Sequence, residues 1–171
     1  MRIKKYKVRL PEDGSLRPET IMEKAVNYPA MKRLSSPADI AQLLNDVFSL
    51  GLEADEYMYL LTLDTKCRLV GVFEVAHGGT NACYVLKREI LVKALSVGAV
   101  GIIVAHNHPS GDPTPSKEDR RFTEELYEAC KMVGLDLLDS IVVCKHSYCS
   151  MEVEFPSIFK NNTAERTAPW Q

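Results

Sequence analysis

The chain has 171 residues, a formal net charge of -2 and a pI of about 6.1, with 46% hydrophobic and 26% charged residues. That balance fits one ordinary folded domain and excludes wholesale disorder, a fibrous repeat, or a surface whose overall charge would draw nucleic acid. No apolar run approaches the ~20 residues needed to span a bilayer and no apolar leader opens the chain, so no membrane association and a cytoplasmic location are expected.

Residues 1–35 mix charge, prolines and turn formers without a sustained apolar period, and are expected to form an extension packed on the domain. Arg2, Lys4, Lys5, Lys7 and Arg9 make its start basic, read as a solvated terminal strand or arm. Ser36, Pro37 and Asp39 then supply an N-cap, a first-turn proline and a first-turn carboxylate. The helix they open carries Ile40, Leu43, Leu44, Val47 and Phe48 at helical spacing, and Gly51 is the expected stop.

Residues 57–63 and 69–73 are two β-prone runs separated by a polar turn, which predicts a hairpin. Gly78, Gly79 and Thr80 turn the chain into a second helix, residues 87–97, with Ile90, Leu91, Ala94 and Leu95 at helical spacing and Gly98 at its end. Residues 100–105 read as a buried strand that runs directly into His106, Asn107 and His108. Ser116 begins a third helix ending at Gly134, and residues 135–143 form the next strand. The segment after Pro156 is polar and patternless, a tail despite Trp170. The domain proper is therefore expected over 36–153, with 154–171 as the tail. Five cysteines without a C-x-x-C pair indicate buried thiols instead of a disulfide framework or a thiolate zinc knuckle.

Alternate residues of a strand share a face, so His106 and His108 can address one metal ion. Two neutral imidazoles and a carboxylate make the open ligand set of catalytic zinc, with a fourth position left for water. The turn-rich loop from Ser110 to Pro115 brings the chain back to Ser116, and Asp119 lies one helical turn beyond. Asp119 also has a structural explanation, because Ser116 and Asp119 match a capping box. The two roles are compatible: a helix N-terminus here presents both side chains toward the loop that carries the histidines.

The string HNHPSGDPTPSKED contains the ordered set H-x-H-x7-S-x2-D and so resembles the JAMM (MPN+) metallopeptidases. Together with Leu138 and Asp139 it is most similar to the RadC-like JAB domain family, over residues 36–145. The resemblance implies a cytidine-deaminase-like MPN/JAB fold of mixed α/β class, with a central mixed sheet flanked by helices. It implies one zinc per chain on His106, His108 and Asp119, and a Ser116 that assists the tetrahedral intermediate. It further implies a glutamate at the start of the first core strand that handles the water proton. Glu56 holds that place, with Glu74 as the alternative, while Glu53 falls in the preceding connection. The expected reaction is hydrolysis of a peptide or isopeptide amide, on a peptide or protein substrate.

Ser140 follows Asp139 where members of the family often carry histidine, which removes a possible donor behind the ligands. Longer members also carry an amino-terminal helix-hairpin-helix region that is not recognisable here, so a DNA-repair role has no carrier. A non-catalytic, metal-containing interaction module is the main competing expectation. An HNH nuclease is not, since that motif spreads its residues over a ββα unit instead of three consecutive positions.

Overall fold

Residues 1–12, 17–29, 34–78 and 85–159 are described by the computed structural model. The strand Tyr57–Leu63 (β3) lies at the centre of a seven-stranded sheet, hydrogen-bonded to Leu69–His77 (β4) on one side and Gly101–Asn107 (β5) on the other, both antiparallel. Beyond β5 come Asp136–Val143 (β6), parallel to it, and the short Tyr148–Ser150 (β7). Beyond β4 come Arg2–Arg9 (β1), parallel to it, and Glu19–Asn27 (β2) at the edge. The mixed α/β class and helix-flanked mixed sheet expected from the sequence are thus present.

Strand alternation builds two cores from the same strands. Tyr59, Leu61, Leu63, Ile103 and Ala105 face the helix Pro37–Phe48 (α1), through Ile40, Leu43 and Leu44. Met58, Leu60, Ile102 and Val104 face Lys87–Ser96 (α2) and Lys117–Met132 (α3), through Ile90, Ala94, Leu126 and Cys130. β5 is buried along its whole length, so its last residues are aimed as firmly as its first. His106 continues the series that faces α3, and Asn107 the series on the α1 side.

The structure corrects two expectations. β1 and β2, from the stretch read as an extension, are integral strands of the sheet; of the two readings of the basic start, strand or arm, the strand is present, with Arg2, Lys7 and Arg9 exposed. Ile3 is buried in the α1 core, Tyr6 stacks on Phe73 in the other at 5.5 Å, and Lys5 pairs with Glu74 at 3.0 Å and Glu23 at 3.5 Å. With one apolar anchor per face, the strand leaves no alternating stripe to be read.

The second correction concerns Gly51. α1 ends at Phe48 with Ser49 in the left-handed region (φ 56), its N–H donating to Asn45 O. Gly51 lies in a 3-10 turn, Leu50–Leu52, where a Cβ would come within 2.5 Å of the Cys144 carbonyl carbon and 2.6 Å of Lys145 N. It is glycine because two backbones cross there. Asn45 seals the crossing, accepting from Gly51 N at 2.7 Å and donating to Cys144 O at 3.0 Å.

Of the thiols, Cys130 and Cys144 are buried while Cys67 and Cys149 are only partly so; Cys83, Gly79 and Thr80 lie outside the described residues. A helical turn, Met151–Glu154 (α4), closes the stretch read as the domain, and a 3-10 turn, Pro156–Ile158, follows in the stretch read as the tail; residues 160–171, Trp170 among them, lie outside the described residues. No helix among the described residues is long and apolar enough to cross a membrane.

Asp139 fastens this end of the chain to the sheet. Fully buried on β6, its carboxyl accepts from Ser140 N (2.7 Å), Glu152 N (3.0 Å) and Ser150 Oγ (2.6 Å). Burial outweighs those donors and pushes the group up to about 7. Its folded value lies above the unfolded one near ~4, so its contribution to stability is complete below pH ~4 and is lost as the pH rises through about 7. Asp139→Asn preserves the shape, the acceptor for both amides and a partner for Ser150, but does not titrate. Between pH 4 and 8, wild-type thermal stability should fall relative to this variant; parallel profiles would show that Asp139 takes up no extra proton on folding.

Candidate metal centre

His106 is the penultimate residue of β5 and is 2% exposed, and His108 stands just past the strand end on the same side. Their Nε2 atoms are 3.2 Å apart. α3 packs on that face, and its N-terminus delivers Asp119, with Oδ1 3.2 Å from His106 Nε2 and Oδ2 3.4 Å from His108 Nε2. The three side chains form a group able to hold a metal ion.

The dimensions suit a particular kind of ion. A tetrahedral ion bound at about 2.0–2.1 Å holds its ligand atoms about 3.3 Å apart, and the three separations here bracket that value. The protonation pattern points the same way. His108 Nδ1 lies 2.8 Å from Asp112 O, and only a ring N–H can meet a carbonyl oxygen, so the neutral ring turns its Nε2 lone pair into the triangle. Two imidazole nitrogens and a carboxylate thus converge on a point that a cation satisfies.

The electrostatics express that convergence. Burial alone would raise the Asp119 carboxyl, but hydrogen bonds with His106 and His108, the charge of His106 and the Ser116 hydroxyl hold it far below the usual carboxylate range. His108 is raised, chiefly by its hydrogen bond to Asp119, against burial and with further help from Asp112 and the charge of Glu56.

Asp119 serves the helix and the triangle together. Ser116 Oγ accepts from Asp119 N at 3.0 Å, and Asp119 Oδ2 accepts from Ser116 N at 2.7 Å, completing the capping box. The Ser116 hydroxyl also donates to Oδ2 at 2.6 Å, so in this state its proton belongs to the carboxylate. One turn on, Thr123 Oγ1 bonds the Asp119 carbonyl at 2.8 Å and Ser140 Oγ at 3.0 Å. Ser140 therefore supports the first turn of α3 through Thr123.

Glu56 directly precedes β3, where strand alternation puts it on the side of Met58 and, across the pair Met58↔His106, on the histidine side. Its carbonyl accepts from Gly78 N at 2.8 Å. Glu74 is opposite Tyr59 in β4 and committed to Lys5, away from the triangle. Glu53 contributes its backbone: its carbonyl accepts from Asn107.

Sequence reasoning passed over Asn107, Asp112 and Thr123. Asn107 carried a signal, since a polar residue between two same-facing histidines of a buried strand must point into the opposite core and find partners there. Asp112 and Thr123 act through a backbone carbonyl and a helix-internal hydroxyl, which no spacing rule singles out.

A profile of the RadC-like JAB domain matches residues 34–155. A UPF0758 protein of Clostridium perfringens is 39% identical over 127 residues, covering 74% of this chain and 55% of the relative. A UPF0758 protein of Carboxydothermus hydrogenoformans is 41% identical over 119 residues (70% and 52%), and one of Aquifex aeolicus 39% over 121 (71% and 51%). The chain spans about half the length of the curated relatives it matches.

Proposed function

This chain belongs to the RadC-like JAB domain family, and from that membership we propose that it is a zinc-dependent hydrolase of the JAMM type, cleaving a peptide or isopeptide amide bond. The observation that carries the reading is the triangle itself: three electron-pair donors on two rigid elements, spaced as a tetrahedral ion requires.

His106, His108 and Asp119 would hold the ion. When bound, it supplies a Lewis acid for the scissile carbonyl and lowers the pKa of its water from ~15.7 toward ~7. The Glu56 carboxylate takes up the proton released from the attacking water and returns it to the departing nitrogen. The Ser116 hydroxyl, turning from Asp119 Oδ2, donates to the carbonyl oxygen as negative charge gathers there. Asp112 O keeps the His108 ring in the tautomer that ligation needs.

Protein purified without added metal should contain one zinc per chain by elemental analysis. Chelation should abolish cleavage of any active member of a panel of peptide and isopeptide substrates, and stoichiometric zinc should restore it. Zinc-loaded protein inert across a broad panel would favour the non-catalytic interaction module.

A further inference from the structure

We propose that Asn107 is a positioning residue for Glu56, a role that rests on the reading of Glu56 as the proton-handling group. Asn107 projects from the end of β5 to the side opposite His106 and is 1% exposed. Its Oδ1 accepts from Tyr57 N at 2.8 Å, and its Nδ2 donates to Asp55 O at 2.9 Å and Glu53 O at 3.3 Å. Two carbonyls on one side and an N–H on the other leave a single orientation of the amide. All three partners lie in the segment that contains Glu56, on both sides of it.

The geometry ties two halves of one site to one strand end. His106 and His108 leave β5 toward α3, while the residue between them reaches the other way and grips the backbone from Glu53 to Tyr57. Glu56 is the residue of that segment left to face the histidines. From the far side, Gly78 N holds the Glu56 carbonyl, and the rings of Tyr57 and His77 stack at 4.1 Å. The β3–β5 ladder reaches as far as the pair Met58↔His106; ahead of that pair, the Asn107 clamp carries the backbone of residues 53–57 directly to the histidine-bearing strand and so fixes how Glu56 stands toward the triangle. A misplacement of about 1 Å is enough to lower a rate about 10²-fold.

Asn107→Asp is the informative variant. It keeps the volume and the acceptor for Tyr57 N but sets an oxygen against the carbonyls of Glu53 and Asp55. Asn107→Ala, which removes the clamp without a buried charge, is the second variant should the first fail to fold. Two readouts need no substrate. In metal-free protein, amide exchange at Gly78 should quicken at least about tenfold, as Glu56 loses its fixed place. In cobalt(II)-loaded protein, the pH midpoint of the visible spectrum should shift in the direction seen for Glu56→Gln. The double variant should then shift no further than Glu56→Gln alone. Cobalt should stay stoichiometric, because His106, His108 and Asp119 are untouched. A spectrum that responds to Glu56→Gln but not to either Asn107 variant overturns the inference while leaving the reading of Glu56 intact. A spectrum indifferent to Glu56→Gln removes the role that Asn107 would serve, and both fall together.

Discussion

His106→Ala protein purified without added metal should be essentially free of zinc, with affinity lowered at least about 10²-fold. Loss of an outer partner of a ligand already lowers affinity about 10–100-fold, and loss of one of three protein ligands exceeds that. His108→Ala should behave alike, since its Nε2 is an equal corner of the triangle. Asp119→Asn makes the sharper test because it separates the two jobs of that side chain. Asparagine can still accept from Ser116 N, and Ser116 remains the N-cap, so α3 should lose at most about 1 kcal/mol. The charge that stabilises a divalent ion would be gone, and zinc should go with it. Elemental analysis with thermal denaturation of the metal-free proteins reads both effects. Full zinc occupancy in both histidine variants would refute the ligand assignment, and a large loss of metal-free stability in Asp119→Asn would make capping its main task.

Glu56→Gln should retain zinc and lose amide hydrolysis by about 10²–10⁴-fold, the range for a positioned acid or base. Glutamine matches glutamate in shape but cannot take a proton from water, so binding and turnover should come apart. Glu74→Gln is the internal control: its carboxylate pairs with Lys5 on the far side of β4, and its removal should weaken one partly exposed ion pair while turnover persists. A dead Glu74→Gln beside an active Glu56→Gln would exchange the two assignments.

The main elements were legible because each is written locally. Ser36 and Pro37 open α1, the polar turn between residues 63 and 69 makes a hairpin, and Ser116 with Asp119 opens α3. Strand alternation alone puts His106 and His108 on one side. Local rules fail where a residue is chosen by something distant in the chain. Gly51 reads as a helix stop, but its lack of a side chain is required by the backbone at Cys144. β1 reads as part of an extension because its anchors, Ile3 and Tyr6, are split between two cores that only the closed sheet creates.

The same division runs through the candidate site. The composition of the triangle follows from residue type and spacing, since a strand end and the next helix N-terminus are joined by one short loop and must be neighbours. Its dimensions do not follow from spacing; they come from α3 packing on the face of β5 that carries Val104 and His106. Nor can sequence choose between Glu56 and Glu74 on physical grounds. Both are carboxylates near strands, and which one faces the histidines depends on the register of β3 against β4 and β5. Register is a long-range property, fixed when apolar side chains of separate strands find their common face, and a slip of one residue would turn every side chain to the other side.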